Sequence, residues 1–291
     1  MSSADSTFSK FLKLFKELLI YSNVFVSLCV ASLTSVTFLL YGVHDIRVIL
    51  LSFFSTLSYY NFLRLFKLSE YQKGLSPLSR WVVDHKLVTS SLGVLGLGMS
   101  VFLLWAYPFR NWWYFSPLFF LALFYTLPLR FGSYSFQLRE LPGLKIFLIA
   151  FMWTFATVRL PLSLVGAQDQ PFLWLMELLR FLFILAITIP FDIRDLAYDR
   201  PHLMTIPQHF GNRTSKWIAA AALIGFLLIS LILQREGVLS TREWWASAMT
   251  ASVSVGMISI SGKGRGEWFY GFFIEGLSLL YFLFLFLIYV I

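Results

Sequence analysis

Long apolar stretches separated by short charged punctuation recur from one end of the chain to the other. Crossing a hydrocarbon core of about 30 Å takes roughly 20 apolar residues in a helix. Stretches of that kind fall at about 20–41, 47–66, 87–107, 111–129, 144–166, 172–191, 216–234, 242–261 and 268–291. They predict nine transmembrane helices. The runs are continuously apolar, where the strands of a barrel would alternate over about 10 residues, so the pattern reads as all-α. Residues 8–19 differ: Phe8, Phe11, Leu12, Phe15, Leu18 and Leu19 share one helical face, with Lys10, Lys13 and Lys16 largely off it. That is the pattern of an amphipathic helix lying in the membrane interface. A cleaved signal peptide would need a short apolar core and a small-residue cleavage site instead, so the segment reads as retained.

Composition agrees. Of the 291 residues 58% are hydrophobic and 13% charged, with a mean hydropathy of +0.74. A soluble domain carries about a quarter charged residues, so too little charge is present to cover a water-facing surface. Disorder, collagen and a disulfide scaffold are excluded by the same numbers and by the lone Cys29. The net charge of +8 would suit nucleic acid, but its distribution follows topology. Seventeen of the 23 lysines and arginines fall at the N-terminus and in every second connection, against four in the alternate ones. This positive-inside bias puts the N-terminus in the cytoplasm and the C-terminus on the far side of, by expectation, a bacterial inner membrane. No dense basic stripe with interleaved aromatics remains for nucleic acid. The chain reads as one membrane domain, 1–291.

One cluster of acids stands out. Residues 192–199 read Asp192-Ile-Arg-Asp195-Leu-Ala-Tyr-Asp199, where the sixth stretch meets the cytoplasm. Spacing of i, i+3 and i+7 stacks three carboxylates on one helical face. Like charges there repel, and converging oxygen ligands suit Mg²⁺ carrying a phosphorylated substrate. The alternative is a solvated helix end whose aspartates pair with Arg194 and Arg200.

The run Asp192 to Arg200, followed by Thr205-Ile206-Pro207 and Gly211, resembles the second aspartate motif of the UbiA superfamily of intramembrane prenyltransferases. Tyr125-Thr-Leu-Pro128-Leu-Arg130 is similar to a Tyr-to-basic segment that the family holds near its diphosphate. The resemblance implies a UbiA-like bundle of two four-helix halves plus a ninth helix around a lipid-accessible cavity. It also implies an isoprenyl diphosphate held through Mg²⁺ between two Asp-rich motifs. Loss of diphosphate would leave an allylic carbocation that alkylates a lipophilic, membrane-soluble acceptor. On this reading Asp192, Asp195 and Asp199 are metal ligands and, with Asn61, catalytic residues, while Arg64, Lys67, Tyr125, Arg130 and Arg200 contact substrate.

The first family motif, Asn-Asp-x-x-Asp-x-x-x-Asp, is degenerate here. Asn61 remains, but Phe62, Leu65 and Ser69 stand at the aspartate positions. Glu70 is one residue out of register, about 100° around a helix axis, and is a poor substitute. Two readings follow. Either Arg64 and Lys67 supply fixed positive charge to the phosphates, with one Mg²⁺ left on the aspartates, or the chain is a non-catalytic lipid-binding or assembly relative, with Arg64 in a structural pair with the aspartates. A transporter would want charge at the midplane of a repeat interface, and protein partners are not legible.

Four further ionisable residues lie inside apolar stretches, where charge is costly. Glu177 and Arg180, three apart, are expected to pair with each other. Arg159 and Glu275 are expected either to pair across the bundle or, for Glu275, to line the cavity. Gly262-Lys-Gly-Arg-Gly266 lacks P-loop spacing and reads as a turn. His85, His202 and His209 have no partner at zinc spacing, and Cys29 is an apolar filler.

Overall fold

The computed structural model describes residues 15, 17–68, 77–127, 129–131, 134–136, 138, 141–196, 203–262 and 264–290. Most of the interfacial segment 8–19 therefore lies outside the described residues, as do Glu70, Asp199, Arg200 and His202.

The nine apolar stretches each contain a helix. In chain order the helices are α1 (Val24–Leu40), α2 (Ile46–Phe66), a short α3 (Pro77–Asp84) and α4 (Lys86–Leu104), then α5 (Ser116–Thr126). There follow α6 (Lys145–Leu164), α7 (Leu173–Asp195), α8 (Ile206–Arg235), α9 (Thr241–Ser259) and α10 (Phe269–Val290). By length and composition six of these, α2, α4, α6, α7, α8 and α10, are long and apolar enough to cross a membrane. α1 is apolar but has 17 residues.

The expected continuous span 111–129 needs correction. Its first part is a 3₁₀ segment, Phe109–Phe115, and α5 keeps 11 residues behind Pro117 in its first turn. Side chains hold the 3₁₀ segment in place: Asn111 Nδ2 donates to Leu164 O at 3.2 Å and Trp112 Nε1 to Leu104 O at 3.2 Å. Beyond α5 the chain forms an antiparallel ribbon, β1 (Leu129–Phe131) with β2 (Tyr134–Phe136), in register Leu129 with Phe136. The all-helical expectation holds for the bundle, and the connection between α5 and α6 adds this ribbon of six strand residues.

Most of the helices pack in a continuous series. α1 packs against α2 and α10, α2 against α4, α6 against α7, and α7 through α10 each against the next. The α2–α4 seam is close because of glycine: a Cβ on Gly96 would lie 2.7 Å from the backbone oxygen of Phe54. Ser58 Oγ adds a hydrogen bond to Gly93 O at 3.0 Å across the same seam.

Two π-turns, Phe155–Arg159 in α6 and Phe269–Ile274 in α10, interrupt the α-helical register. The first decides an ion pair. Arg159, at its end, grips Glu177 of α7 with Nε at 2.6 Å and Nη2 at 2.9 Å. The expected Glu177–Arg180 pair is thereby corrected. Arg180 is fully buried, and its guanidinium donates to Leu33 O, Thr37 Oγ1 and Thr157 Oγ1, tying α7 to α1 and α6. A neighbour on the same helix lost to partners on other helices because those partners complete a planar fork.

Candidate functional site

At the end of α7 the helix passes Pro190, which removes one backbone hydrogen bond two residues before Asp192. Asp192 and Asp195 then face a cavity of about 200 Å³. Its other polar lining comes from Lys145 at the start of α6, Thr188 and Arg194 of α7, Tyr60 of α2 and Glu275 of α10. Lys145 Nζ is 3.0 Å from Asp192 Oδ1, and Asp192 is 2% exposed. Arg194 holds Asp195 by two bonds, Nε to Oδ1 at 2.7 Å and Nη2 to Oδ2 at 3.3 Å. The Arg194 guanidinium lies over the rings of Phe191, at 5.1 Å, and Tyr270, at 5.5 Å. Tyr270 belongs to the π-turn of α10, so the same turn supports Arg194 and brings Glu275 to the cavity.

Beside this polar pocket lies a larger, apolar cavity of about 360 Å³. It is walled by α1, α2, α5 and α6, and it shares Tyr60, Ile149 and Trp153 with the polar pocket. Trp153 Nε1 donates to Tyr60 OH at 3.2 Å at that shared wall. A charged head and an apolar tail can thus be housed side by side, with two aromatic side chains at the junction.

The residues singled out from sequence are distributed unevenly around these cavities. Asp192 and Asp195 line the polar one and Tyr125, 9% exposed, lines the apolar one. Asn61 lines neither: it is fully buried, and its Nδ2 donates to Ser22 O at 3.0 Å and Leu57 O at 2.8 Å, bracing α2 against the entry to α1. Arg64 also lines neither, and its Nη1 donates to the carbonyl of Tyr21. Lys67 ends α2, its N–H bonded to Leu63 O at 3.2 Å. Arg130 lies in β1, where only its backbone is described. Glu275 takes the cavity-lining alternative. Among the described residues no three His, Cys, Asp or Glu side chains converge as a metal cluster.

Lys145, Trp153 and Thr188 were missed in the sequence. Lys145 did carry a signal: a cation in the first turn of a helix opposes the helix dipole and calls for a carboxylate partner.

No protein-family model matches the chain, and no curated protein matches it. Solved structures do. An apo UbiA homolog from Aeropyrum pernix K1 superposes with a TM-score of 0.68 at 12% identity, over 92% of this chain and 98% of that one. A UbiA homolog from Archaeoglobus fulgidus, bound to DMAPP and Mg²⁺, gives 0.65 at 13% identity, over 94% of this chain and 99% of that one. The fold is UbiA-like. A structure of digeranylgeranylglyceryl phosphate synthase gives 0.57 at 12% identity, covering 94% of this chain and 98% of that one. With its apolar helices, the UbiA-like chain is an integral membrane protein.

Proposed function

We propose that this chain binds an isoprenyl diphosphate in the polar pocket, with its prenyl tail in the adjoining apolar cavity, and transfers the prenyl group to a membrane-soluble acceptor. The observation that carries the proposal is the contiguity of the two cavities across Tyr60 and Trp153. The fold shared with a homolog bound to DMAPP and Mg²⁺ supports it.

The residues in the pocket fit one Mg²⁺. That ion takes one or two carboxylates and completes its shell with phosphate oxygens and water. Asp192 and Asp195, one helical turn apart and lining one cavity, are donors of that kind, and the sequence offers Asp199 as a third. When bound, the metal neutralises charge growing on the departing diphosphate. The protein's own part is an exchange of partners. Lys145 and Arg194 leave the carboxylates they now hold and donate charge-assisted hydrogen bonds to phosphate oxygens. The apolar wall keeps water from the reacting carbon, and Tyr60 and Trp153 offer π faces to developing positive charge.

In the full arrangement the nine helices span the membrane, residues 8–19 lie in the interface, and the pocket faces the cytoplasm. On this reading Arg200, Arg130, Arg64 and Lys67 are the cations assigned as further phosphate contacts, Arg64 by leaving the Tyr21 carbonyl it now holds, and Asn61 orients α2.

A second reading has its own support. Both described aspartates are already matched by cations, and the first-motif positions hold Phe62, Leu65 and Ser69. A non-catalytic relative that binds a lipid would look the same at rest. The deciding experiment measures binding of geranyl diphosphate to purified protein in detergent, with and without Mg²⁺, beside Asp195→Asn and Lys145→Ala. Metal-dependent binding that either substitution weakens at least tenfold supports the proposal. Absence of binding overturns it and leaves the lipid-binding relative.

A further inference from the structure

The apolar cavity does not run on at constant width. Beyond Val30, Ser55, Thr56, Phe115, Leu118 and Ala156 it contracts into a recess of about 30 Å³ that reaches Val48 and Leu164 near the far ends of α2 and α6. These six residues line both spaces, so they form the constriction between them. The sequence from the charged end is therefore polar pocket, Tyr60–Trp153 junction, wide apolar chamber and narrow recess.

The chamber's volume sets a length for its occupant. An apolar cavity of about 150 Å³ holds one benzene, about six carbons. By the same scale the chamber of about 360 Å³ holds roughly 14 carbons. The recess is too small for one more five-carbon unit.

We infer that this site selects prenyl chains of ten to fifteen carbons, with Leu118 and Phe115 stopping the distal end against Val30 and Ser55. The inference takes its headgroup from the diphosphate reading above and its chain length from the chamber alone. Discrimination follows from packing. A five-carbon chain leaves most of the chamber unfilled and forfeits apolar contact. A twenty-carbon chain must either force the constriction or leave its last units outside it, so the added carbons gain nothing.

The test is a binding series on the purified full chain in detergent with Mg²⁺: dimethylallyl, geranyl, farnesyl and geranylgeranyl diphosphate, beside geraniol, farnesol and geranylgeraniol. The expected result is affinity rising at least tenfold from five to ten or fifteen carbons and rising no further at twenty. Two variants move the limit in opposite directions. Ala122→Phe puts a ring into the chamber wall and shifts the optimum one unit shorter. Leu118→Ala joins the chamber to the recess and shifts it one unit longer. Affinity that climbs steadily through twenty carbons overturns the inference while leaving the diphosphate reading intact, as does a length order that neither variant changes. Alcohols that keep the expected length order while no diphosphate binds overturn the diphosphate reading alone. Absence of binding by either series overturns both.

Discussion

Gly96 of α4 offers a sharp test of how the cavity wall is held. Adding a methyl group there would set a Cβ 2.7 Å from Phe54 O, 2.8 Å from Ser58 N and 3.1 Å from Ser58 Cα. All three are backbone atoms of α2, so no flexible side chain can yield and the two helices must move apart. Overpacking of this sort costs about 1–3 kcal/mol. Alanine is favoured over glycine in a helix by about 1 kcal/mol, so Gly96→Ala should be destabilising by roughly 0–2 kcal/mol net. At Gly93 the nearest atoms are the Phe62 ring at 3.4 Å and Asn61 Cβ at 3.6 Å, which is ordinary contact, and at Gly98 nothing lies within 4 Å. Gly93→Ala and Gly98→Ala should therefore keep most of the helix gain. In a chain of this size 1 kcal/mol moves Tm by about 2–4 °C, so the variants should separate into a lowered Gly96→Ala and two raised partners. The assay is thermal unfolding of the three purified variants in one detergent. A Gly96→Ala protein as stable as Gly93→Ala would refute the close α2–α4 approach on which the position of Tyr60 and its neighbours depends.

Arg180→Met should cost at most about 1–2 kcal/mol, since it removes a buried charge that no carboxylate offsets among the described residues, whereas Arg180→Ala should cost about 2–5 kcal/mol through the void it leaves. Equal unfolding temperatures for the two variants would contradict that account of Arg180. Asp45, the N-cap of α2, feels a burial cost, but the Arg47 side chain and backbone N–H and the Tyr107 hydroxyl outweigh it and hold the carboxyl below the usual aspartate range. Its stabilisation is complete above the unfolded pKa of about 3.9 and fades as pH falls through the lowered folded value. The Tm gap between wild type and Asp45→Asn should accordingly be full at pH 6 and close as pH falls through the lowered folded pKa. A gap that widens with acid would reverse the assigned sign.

The membrane class, the positions of the helices and the pairing of Asp192 with Asp195 on one face were legible because each depends on composition or on helical period. Partner choice was not. Spacing offered Arg180 to Glu177, but it gives only neighbours on the same helix, and Arg159 reaches Glu177 from α6 with a bidentate fork. The π-turn that ends at Arg159 is equally invisible to periodicity, because one inserted residue turns everything after it by about 100°. Glu275 follows a second such turn. The truncated α5 has another cause: its stretch is as apolar as its neighbours, but Pro117 and the Asn111 and Trp112 side-chain bonds favour a 3₁₀ entry that hydropathy does not register.

The apolar residues Phe62 and Leu65 of α2 and the presence of Lys145 and Arg194 in the pocket bear together on its charge. With Phe62 and Leu65 on α2, the described pocket holds three carboxylates, Asp192, Asp195 and Glu275, against two cations. A pocket with carboxylates on both walls would need two divalent ions before a diphosphate could approach. Here the fixed cations already balance most of the negative charge, so one Mg²⁺ on the α7 aspartates should suffice. Binding of geranyl diphosphate should then depend on free Mg²⁺ with a slope of one on a log–log plot, and calorimetry should count one ion per ligand. In Lys145→Ala the missing cation leaves excess negative charge, and a second ion should be recruited, raising the slope towards two. A wild-type slope of two would show that the protein cations do not stand in for metal, and the proposed exchange of partners at Asp192 would fall with it.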